Sequence, residues 1–280
     1  MFSKKEDQDR VVREPVPLLD LDRKLVVLWS AKAGCTFATK WFLSQIGDLE
    51  VGLNQSEGWI HNYRARKFSP SGDYVKALTG SCEHEDTRFI QFIRRPLSRI
   101  VSAYLAYAHV CATEAATPLH ETTLNGLAEN LQRRVSHHQT FSFREFLAYV
   151  EGEGTQTIDM HMLPQSYNFR WAARDKIDFV PIESYETYLK PLERRFGLGI
   201  ADRAQLIRSA HHTQGRRIVC NGVADLWFGN TVNAPLPTYE SFIDADSASR
   251  ILRIYASDLD AFKEFYSDDL DLLNRAARVG

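Results

Sequence analysis

The stretch KLVVLWSAKAGCTFATKWFLSQI, residues Lys24 to Ile46, decides the fold of this chain. Residues Leu25 to Trp29 form an unbroken apolar run of about the length of one buried strand. The five residues that follow are small apart from one lysine, and apolar residues recur at helical spacing from Cys35 onward. The stretch therefore predicts a strand, a tight loop and a helix.

This arrangement predicts an anion-binding site at the loop. Free backbone N–H groups and the positive end of the helix dipole meet where a helix begins. Lys32 adds a full positive charge there. The triphosphate-binding motif GxxxxGK[ST] does not fit, because the loop has one glycine, Gly34, and its lysine precedes that glycine. A strand, a small loop and a helix are also a common packing unit, so a purely structural role stays open.

A second stretch, RFIQFIRRPLSRIVSAY, again predicts a strand followed by a helix. The strand is Arg88 to Ile93, and the helix has Pro96 in its first turn and apolar residues at three- and four-residue spacing. Arg94 therefore ends a strand, at the edge where ligands bind in open α/β sheets. We expect Arg94 and Ser102 to reach one anion beside the first loop. An ordinary amphipathic helix with solvated arginines is the alternative.

Both stretches resemble the cofactor motifs of sulfotransferases that use 3′-phosphoadenosine 5′-phosphosulfate (PAPS), in the carbohydrate, family 2-like branch. AKAGCT resembles the phosphosulfate loop P-K-x-G-C-T, with Ala31 in place of proline, and FIRRPLSRIVSAY resembles F-V-R-x-P-x-x-R-x-x-S-A-Y. The resemblance spans about residues 24 to 266. It implies a P-loop-like three-layer α/β/α fold of the α/β class, with a central, mainly parallel sheet and helical excursions. The PAPS-binding residues that it implies are Lys32, Ala33, Gly34, Cys35, Thr36, Phe37, Arg94 and Ser102.

The activity that the resemblance implies is transfer of a sulfuryl group from PAPS to a hydroxyl of a carbohydrate, glycolipid or similar acceptor. The product of the donor is 3′-phosphoadenosine 5′-phosphate (PAP), and no metal is expected. Lys32 is expected to stabilise the charge on the leaving phosphate. Two other classes stay open, a P-loop-like kinase that transfers phosphate and a non-catalytic relative that binds a nucleotide or glycan.

A general base should take the proton of the acceptor hydroxyl, and two histidines are candidates. His161 lies in DMHMLPQ, which resembles the stretch D-x-H-W-x-P-Q of the same branch. His61 lies in the polar segment WIHNYRARKF, which is either a solvated surface segment or a segment that faces the substrate. A histidine that holds a loop by hydrogen bonds is the alternative for His161.

Composition bounds the organisation of the chain. Its 280 residues, 44% hydrophobic and 25% charged, suit one large α/β domain, and we predict an extended arm at 1–23, a single domain at 24–270 and a tail at 271–280. The net charge of −2 excludes a broad nucleic-acid-binding surface, which needs clustered positive charge.

Membrane and metal signals are weak in the sequence. No apolar run approaches the ~20 residues that span a bilayer, the amino-terminal residues have no apolar core of a signal peptide, and the four cysteines have no metal-site spacing. We therefore expect a cytoplasmic protein without a transmembrane segment. The acceptor, a small molecule or a glycan, is expected to meet the loops at 50–80, 109–140 and 205–235. The roles of the excursions at 109–139 and 210–232 stay open, as does a homodimer.

Overall fold

The computed structural model of the chain describes residues 15–55, 60–113, 118–136, 139–154, 159–207, 218–220, 222–228 and 236–278. Four strands and twelve α-helices lie in these residues, with short 3-10 helices between some of them. In chain order they are β1 Leu18–Asp20, β2 Leu25–Leu28, α1 Cys35–Gln45, α2 Leu49–Gln55, α3 Ile60–Lys67, α4 Gly72–Glu83, β3 Arg88–Ile93, α5 Pro96–Thr113, α6 Pro118–Asn130, α7 Phe143–Glu153, β4 Ile177–Pro181, α8 Tyr185–Arg195, α9 Arg203–Ile207, α10 Ala245–Ile254, α11 Ala256–Ala261 and α12 Lys263–Ala277.

The chain divides into two compact units. The first unit comprises Met1–Arg94 and Tyr167–Thr213, and it contains all four strands. The second unit comprises Arg95–Ser166 and Gln214–Gly280, and its described elements are helical.

The sheet of the first unit is mainly parallel, as predicted. Its strand order is β1-β2-β3-β4, with β1 antiparallel to β2 and the other two pairs parallel. Val26 of β2 lies opposite Phe89 of β3, which lies opposite Ile177 of β4. The carboxyl ends of β2 and β3 therefore meet at the same edge of the sheet, where the two predicted motifs begin.

Helices cover both faces of this sheet. On one face, Val26 and Phe89 share an apolar cluster with Leu78 of α4. On the other face, the ring of Phe92 lies 5.5 Å from that of Trp41 of α1. This confirms the predicted three-layer α/β/α arrangement within the first unit, because successive side chains of a strand point to opposite faces.

A buried carboxylate ties α1 to α8 and α9. Glu193 is fully buried and accepts hydrogen bonds from the indole Nε1 of Trp41 at 2.8 Å and from Nη2 of Arg203 at 2.7 Å. These donors offset the cost of removing the charge from water. The helix that begins at the predicted anion site is thus fixed at its middle.

The second unit has an aromatic core around Tyr104 of α5. Its ring lies 5.4 to 5.8 Å from those of Phe143, Phe146 and Phe242. Helix α7 begins with a capping box, in which the Ser142 side chain accepts the N–H of Glu145 and the Glu145 side chain accepts the N–H of Ser142. None of the helices in the described part of the chain is both long and apolar enough to cross a bilayer.

Regular elements extend into the predicted amino-terminal arm and the predicted carboxyl-terminal tail. Residues Leu18–Asp20 of the predicted arm form β1, because their buried leucines pair with β2. Residues 271–277 of the predicted tail continue α12, where Leu273 is fully buried. The predicted single domain at 24–270 includes segments of both compact units and stays a prediction. Of the excursion at 109–139, residues Pro118–Asn130 are α6, while much of the excursion at 210–232 lies outside the described residues.

Candidate active site

The predicted anion loop follows β2 in the first unit. The N–H of Ala33 donates to the carbonyl of Ser30 at 3.2 Å and closes a tight turn. The buried side chain of Asn168 fixes the entry to this turn, because its Nδ2 donates to the carbonyl of Trp29 at 3.2 Å and to Ser30 Oγ at 3.1 Å. Lys32 has a φ of 63°, in the left-handed region that non-glycine residues seldom adopt. Backbone strain of this kind is concentrated at functional sites.

Gly34 is the N-cap of α1, and the loop allows no other residue there without strain. Its φ is 73°, and a Cβ atom at this position would lie 2.8 Å from Cγ1 of Ile182. A glycine has no side chain to cap the helix, and the N–H groups of Cys35, Thr36 and Phe37 bond no acceptor among the described residues. These donors are therefore available to an external anion.

Arg94, at the end of β3, contacts the loop directly. Its Nη1 donates to the carbonyl of Lys32 at 2.8 Å. The two motifs, far apart in the sequence, thus converge at the carboxyl ends of two adjacent parallel strands. This is the juxtaposition that a ligand with anionic groups at both ends requires.

Helix α3 contributes the side chains of His61 and Arg64 to the site. Their spacing of three residues matches that of Thr36 and Thr39 on α1. Thr36 and Thr39 lie one turn apart on α1, and Oγ1 of Thr36 lies 2.9 Å from Nε2 of His61. One turn later on α3, Nη1 of Arg64 donates to Oγ1 of Thr39 at 3.3 Å. The Arg64 guanidinium also lies over the indole ring of Trp29, 3.7 Å from its centroid. The sequence left open whether the segment WIHNYRARKF is solvated or faces the substrate. In the structure, its residues His61 and Arg64 lie on the side that faces α1.

The pKa of the Cys35 thiol indicates the sign of the electrostatic potential at the beginning of α1. Its Sγ lies 3.9 Å from Nε2 of His61. Burial raises the pKa of the thiol, but the hydrogen bond with His61 and the charges of His61, Arg64 and Lys32 outweigh burial and lower the pKa from 9.0 to about 5. The beginning of α1 is therefore electropositive.

These residues fit an anionic ligand. The site offers backbone N–H donors at the beginning of a helix, a glycine that leaves space beside them, the cationic side chains of Lys32 and Arg64, and the imidazole of His61. A phosphosulfate needs donors and positive charge of this kind. Among the described residues, no group of three or more His, Cys, Asp or Glu side chains could hold a metal ion.

His161 and Ser102 belong to the second unit. Nδ1 of His161 lies 2.5 Å from Oδ1 of Asp159, and the same oxygen accepts the His161 backbone N–H at 2.8 Å. Burial raises the pKa of the Asp159 carboxyl, but its bonds to His161 outweigh burial and lower it. A carboxylate on Nδ1 leaves Nε2 as the basic nitrogen of the ring. Ser102 lies half-buried on α5, and its role in PAPS binding stays a prediction.

The sequence alone missed two contributors to the site, Arg64 and Asn168. The signal for Arg64 was the repeated spacing of three residues, Thr36 to Thr39 and His61 to Arg64, which places each pair on one side of its helix. Asn168 carries no comparable signal, because it reaches the loop from a distant 3-10 helix.

Comparison with known proteins gives one match. The family model described as "Sulfotransferase family" matches residues 20–267. Searches of curated proteins and of solved structures gave no significant match.

Proposed function

Because this chain belongs to the sulfotransferase family, we propose that it transfers a sulfuryl group from PAPS to a hydroxyl of a carbohydrate, glycolipid or similar acceptor. The observation that carries the proposal is the contact of Arg94 with the loop of Lys32 at the beginning of α1. It provides two sets of anion-binding groups, one at the end of each of two adjacent strands. PAPS carries a phosphosulfate on its 5′ oxygen and a phosphate on its 3′ oxygen.

We assign the phosphosulfate to the loop and the first turn of α1. The N–H groups of Cys35, Thr36 and Phe37 and the ammonium of Lys32 would bind its oxygens. Arg94 would bind the 3′-phosphate, which is the role that the resemblance gives to it and to Ser102. Each of these groups is a hydrogen-bond donor or a cation.

The donor supplies an activated sulfuryl group, and the protein supplies fixed positive charge where negative charge grows. That charge grows on the oxygen that bridges to the leaving phosphate of PAP. The backbone of Lys32 and the N–H groups of α1 are held in place before reaction by the turn at Ser30 and by the N-cap Gly34. Donors that need no reorganisation stabilise a transition state more than the ground state.

The general base is assigned to His161 or His61. Asp159 fixes Nδ1 of His161 and favours a proton on that nitrogen, so Nε2 is available to take the acceptor proton. Nε2 of His61 is held by Thr36, which favours a role in the anion site. The variants His161→Ala and His61→Ala should be compared at saturating PAPS, and the base assignment fails for both if neither lowers kcat by at least about tenfold.

The direct test of the donor is thermal unfolding with PAP compared with ATP plus Mg²⁺. We expect PAP to raise the midpoint, because a ligand at 100 times its Kd stabilises a protein by about 2.7 kcal/mol. Stabilisation by ATP plus Mg²⁺ and not by PAP would support the kinase alternative. Binding of PAP without transfer of labelled sulfate to any acceptor would support the non-catalytic alternative.

The variant Lys32→Ala tests the assignment of the phosphosulfate to the loop. We expect it to abolish transfer while the unfolding midpoint without ligand stays that of the wild type. Lys76→Ala, an exposed lysine of α4, is the matched control and should retain activity. Full activity in Lys32→Ala would contradict the assignment of the loop.

A further inference from the structure

The Arg64 guanidinium is held in place by neutral groups. It stacks on the indole of Trp29 and donates to the hydroxyl of Thr39, and neither of these partners carries a charge. The Trp29 ring is itself fixed, because its Nε1 donates to the carbonyl of Val16 at 2.7 Å. A guanidinium fixed in this way has lost much of its conformational freedom before any ligand binds.

Two other arginines of the described chain have carboxylate partners. Arg95 binds Asp269 and Arg203 binds Glu193, each at a distance of 2.7 to 2.8 Å. Among the described residues, no carboxylate lies within ion-pair distance of Arg64, and the anionic group that acts on it is the Cys35 thiolate. Burial lowers the pKa of Arg64 to about 10, and the interaction with Cys35 opposes this shift. Among the described residues, the counter-charge of Arg64 is therefore a thiolate and not a carboxylate.

We propose that Arg64 is a further binding residue of the donor, with its guanidinium bound to the anionic 5′ end beside the first turn of α1. This inference rests on the proposed function. The spacing of the two helices supports it, since Thr36 and Thr39 of α1 face His61 and Arg64 of α3. The guanidinium is thus on the side of α3 that faces α1, and its charge lowers the pKa of the Cys35 thiol.

The matched pair for the test is Arg64→Gln and Arg66→Gln. Arg66 lies on the same helix, is exposed and donates to the carbonyl of Gln55. The ligands are PAP and adenosine 3′-monophosphate, which lacks the 5′ group, and their Kd values are measured by calorimetry at fixed salt. A hydrogen bond to a charged group contributes about 1.5–3 kcal/mol, so Arg64→Gln should weaken PAP binding by about 10- to 150-fold. Binding of adenosine 3′-monophosphate should change less than about twofold, and Arg66→Gln should bind both ligands as the wild type does.

The outcomes separate this inference from the proposed function. If the wild type does not bind PAP, the proposed function fails. If the wild type binds PAP and Arg64→Gln binds it equally well, the proposed function stands and the role of Arg64 is overturned. An equal loss for both ligands would also overturn it, because the 5′ end would then not be the group that Arg64 binds.

A second variant and a second readout guard against a folding defect. Arg64→Lys keeps the charge but loses the planar stacking on Trp29, so it should fold if Arg64→Gln does not. Its loss of PAP affinity should be smaller than that of Arg64→Gln but should again spare adenosine 3′-monophosphate. The pH midpoint of Cys35 thiol reactivity should rise in Arg64→Gln and stay unchanged in Arg66→Gln. An unchanged midpoint in Arg64→Gln would place the guanidinium too far from α1 to bind the ligand.

Discussion

The thiol of Cys35 should react with a disulfide probe at a pH where ordinary thiols are inert. The rate of this reaction is measured as the pH is lowered from 9 to 4. With a pKa of about 5 the thiol is about 90% ionised at pH 6, whereas a thiol at its ordinary value of 9.0 is about 0.1% ionised. Nucleophilicity falls by about 0.4–0.5 log units for each unit of pKa, which offsets the gain by about 40- to 100-fold. The expected net advantage at pH 6 is about 10- to 20-fold.

The assay is exchange with 4,4′-dithiodipyridine, with the modified cysteine identified by mass spectrometry. The rate at Cys35 should fall with a midpoint near pH 5, while Cys82, whose pKa burial raises to about 11, should not react below pH 7. His61→Asn should raise the Cys35 midpoint, because it removes the hydrogen bond and the charge of the imidazole. His84→Gln, an exposed histidine of the same unit, is the control. A midpoint at pH 8 or above in the wild type would refute the electropositive site.

The same pKa shift links stability to pH, and the sign follows from proton binding. Between about pH 5 and pH 9 the unfolded chain holds a proton on Cys35 that the folded chain has lost, so the free energy of unfolding rises with pH. The contribution is fully present above pH 9 and is lost as the pH falls through about 5. Cys35→Ser lacks it, so the difference in unfolding free energy between the wild type and this variant should grow from pH 5 to pH 8. A difference that is independent of pH would contradict the shift.

Two further predictions concern the elements that hold the site. Gly34→Ala should destabilise the protein by about 2–4 kcal/mol in urea titrations, because it combines a positive φ with a clash, whereas Gly47→Ala, with a positive φ and open space, should lose about 1–2 kcal/mol. Equal losses would show that the clash relaxes freely. Arg203→Met leaves the buried Glu193 without its cation and should lose about 3–5 kcal/mol, while Arg195→Met, which breaks an exposed pair, should lose at most about 1 kcal/mol. Similar losses in the two arginine variants would contradict the burial of this ion pair.

The core of the site could be predicted from the sequence because its signals are local. The apolar run before Trp29, the small loop residues and the helical spacing after Cys35 fixed a strand, a loop and a helix, and the structure has them at these positions. Arg94 was predicted beside the loop because the carboxyl ends of parallel strands meet at one edge.

The parts that the sequence did not reveal depend on tertiary contacts. The side of α3 that faces α1 is polar, with His61 and Arg64, so it lacks the apolar stripe that marks a packed helix face. Its partners are threonine hydroxyls that only the folded chain brings within reach. The sequence carries no signal for the division into two compact units, for a similar reason. Each unit is assembled from two separate segments. Of the three junctions between them, the two in the described part of the chain, Arg94–Arg95 and Ser166–Tyr167, have no linker composition.

The stacking of Arg64 on Trp29 gives the protein a built-in optical signal. The emission of an indole responds to the electric field across its ring, and here a full positive charge lies 3.7 Å from the ring centroid. An anion that binds beside the guanidinium changes this field, so ligand binding should shift the fluorescence of Trp29 without any attached dye. Subtracting the spectrum of Trp29→Phe isolates this signal from the other tryptophans and permits a titration at low protein concentration.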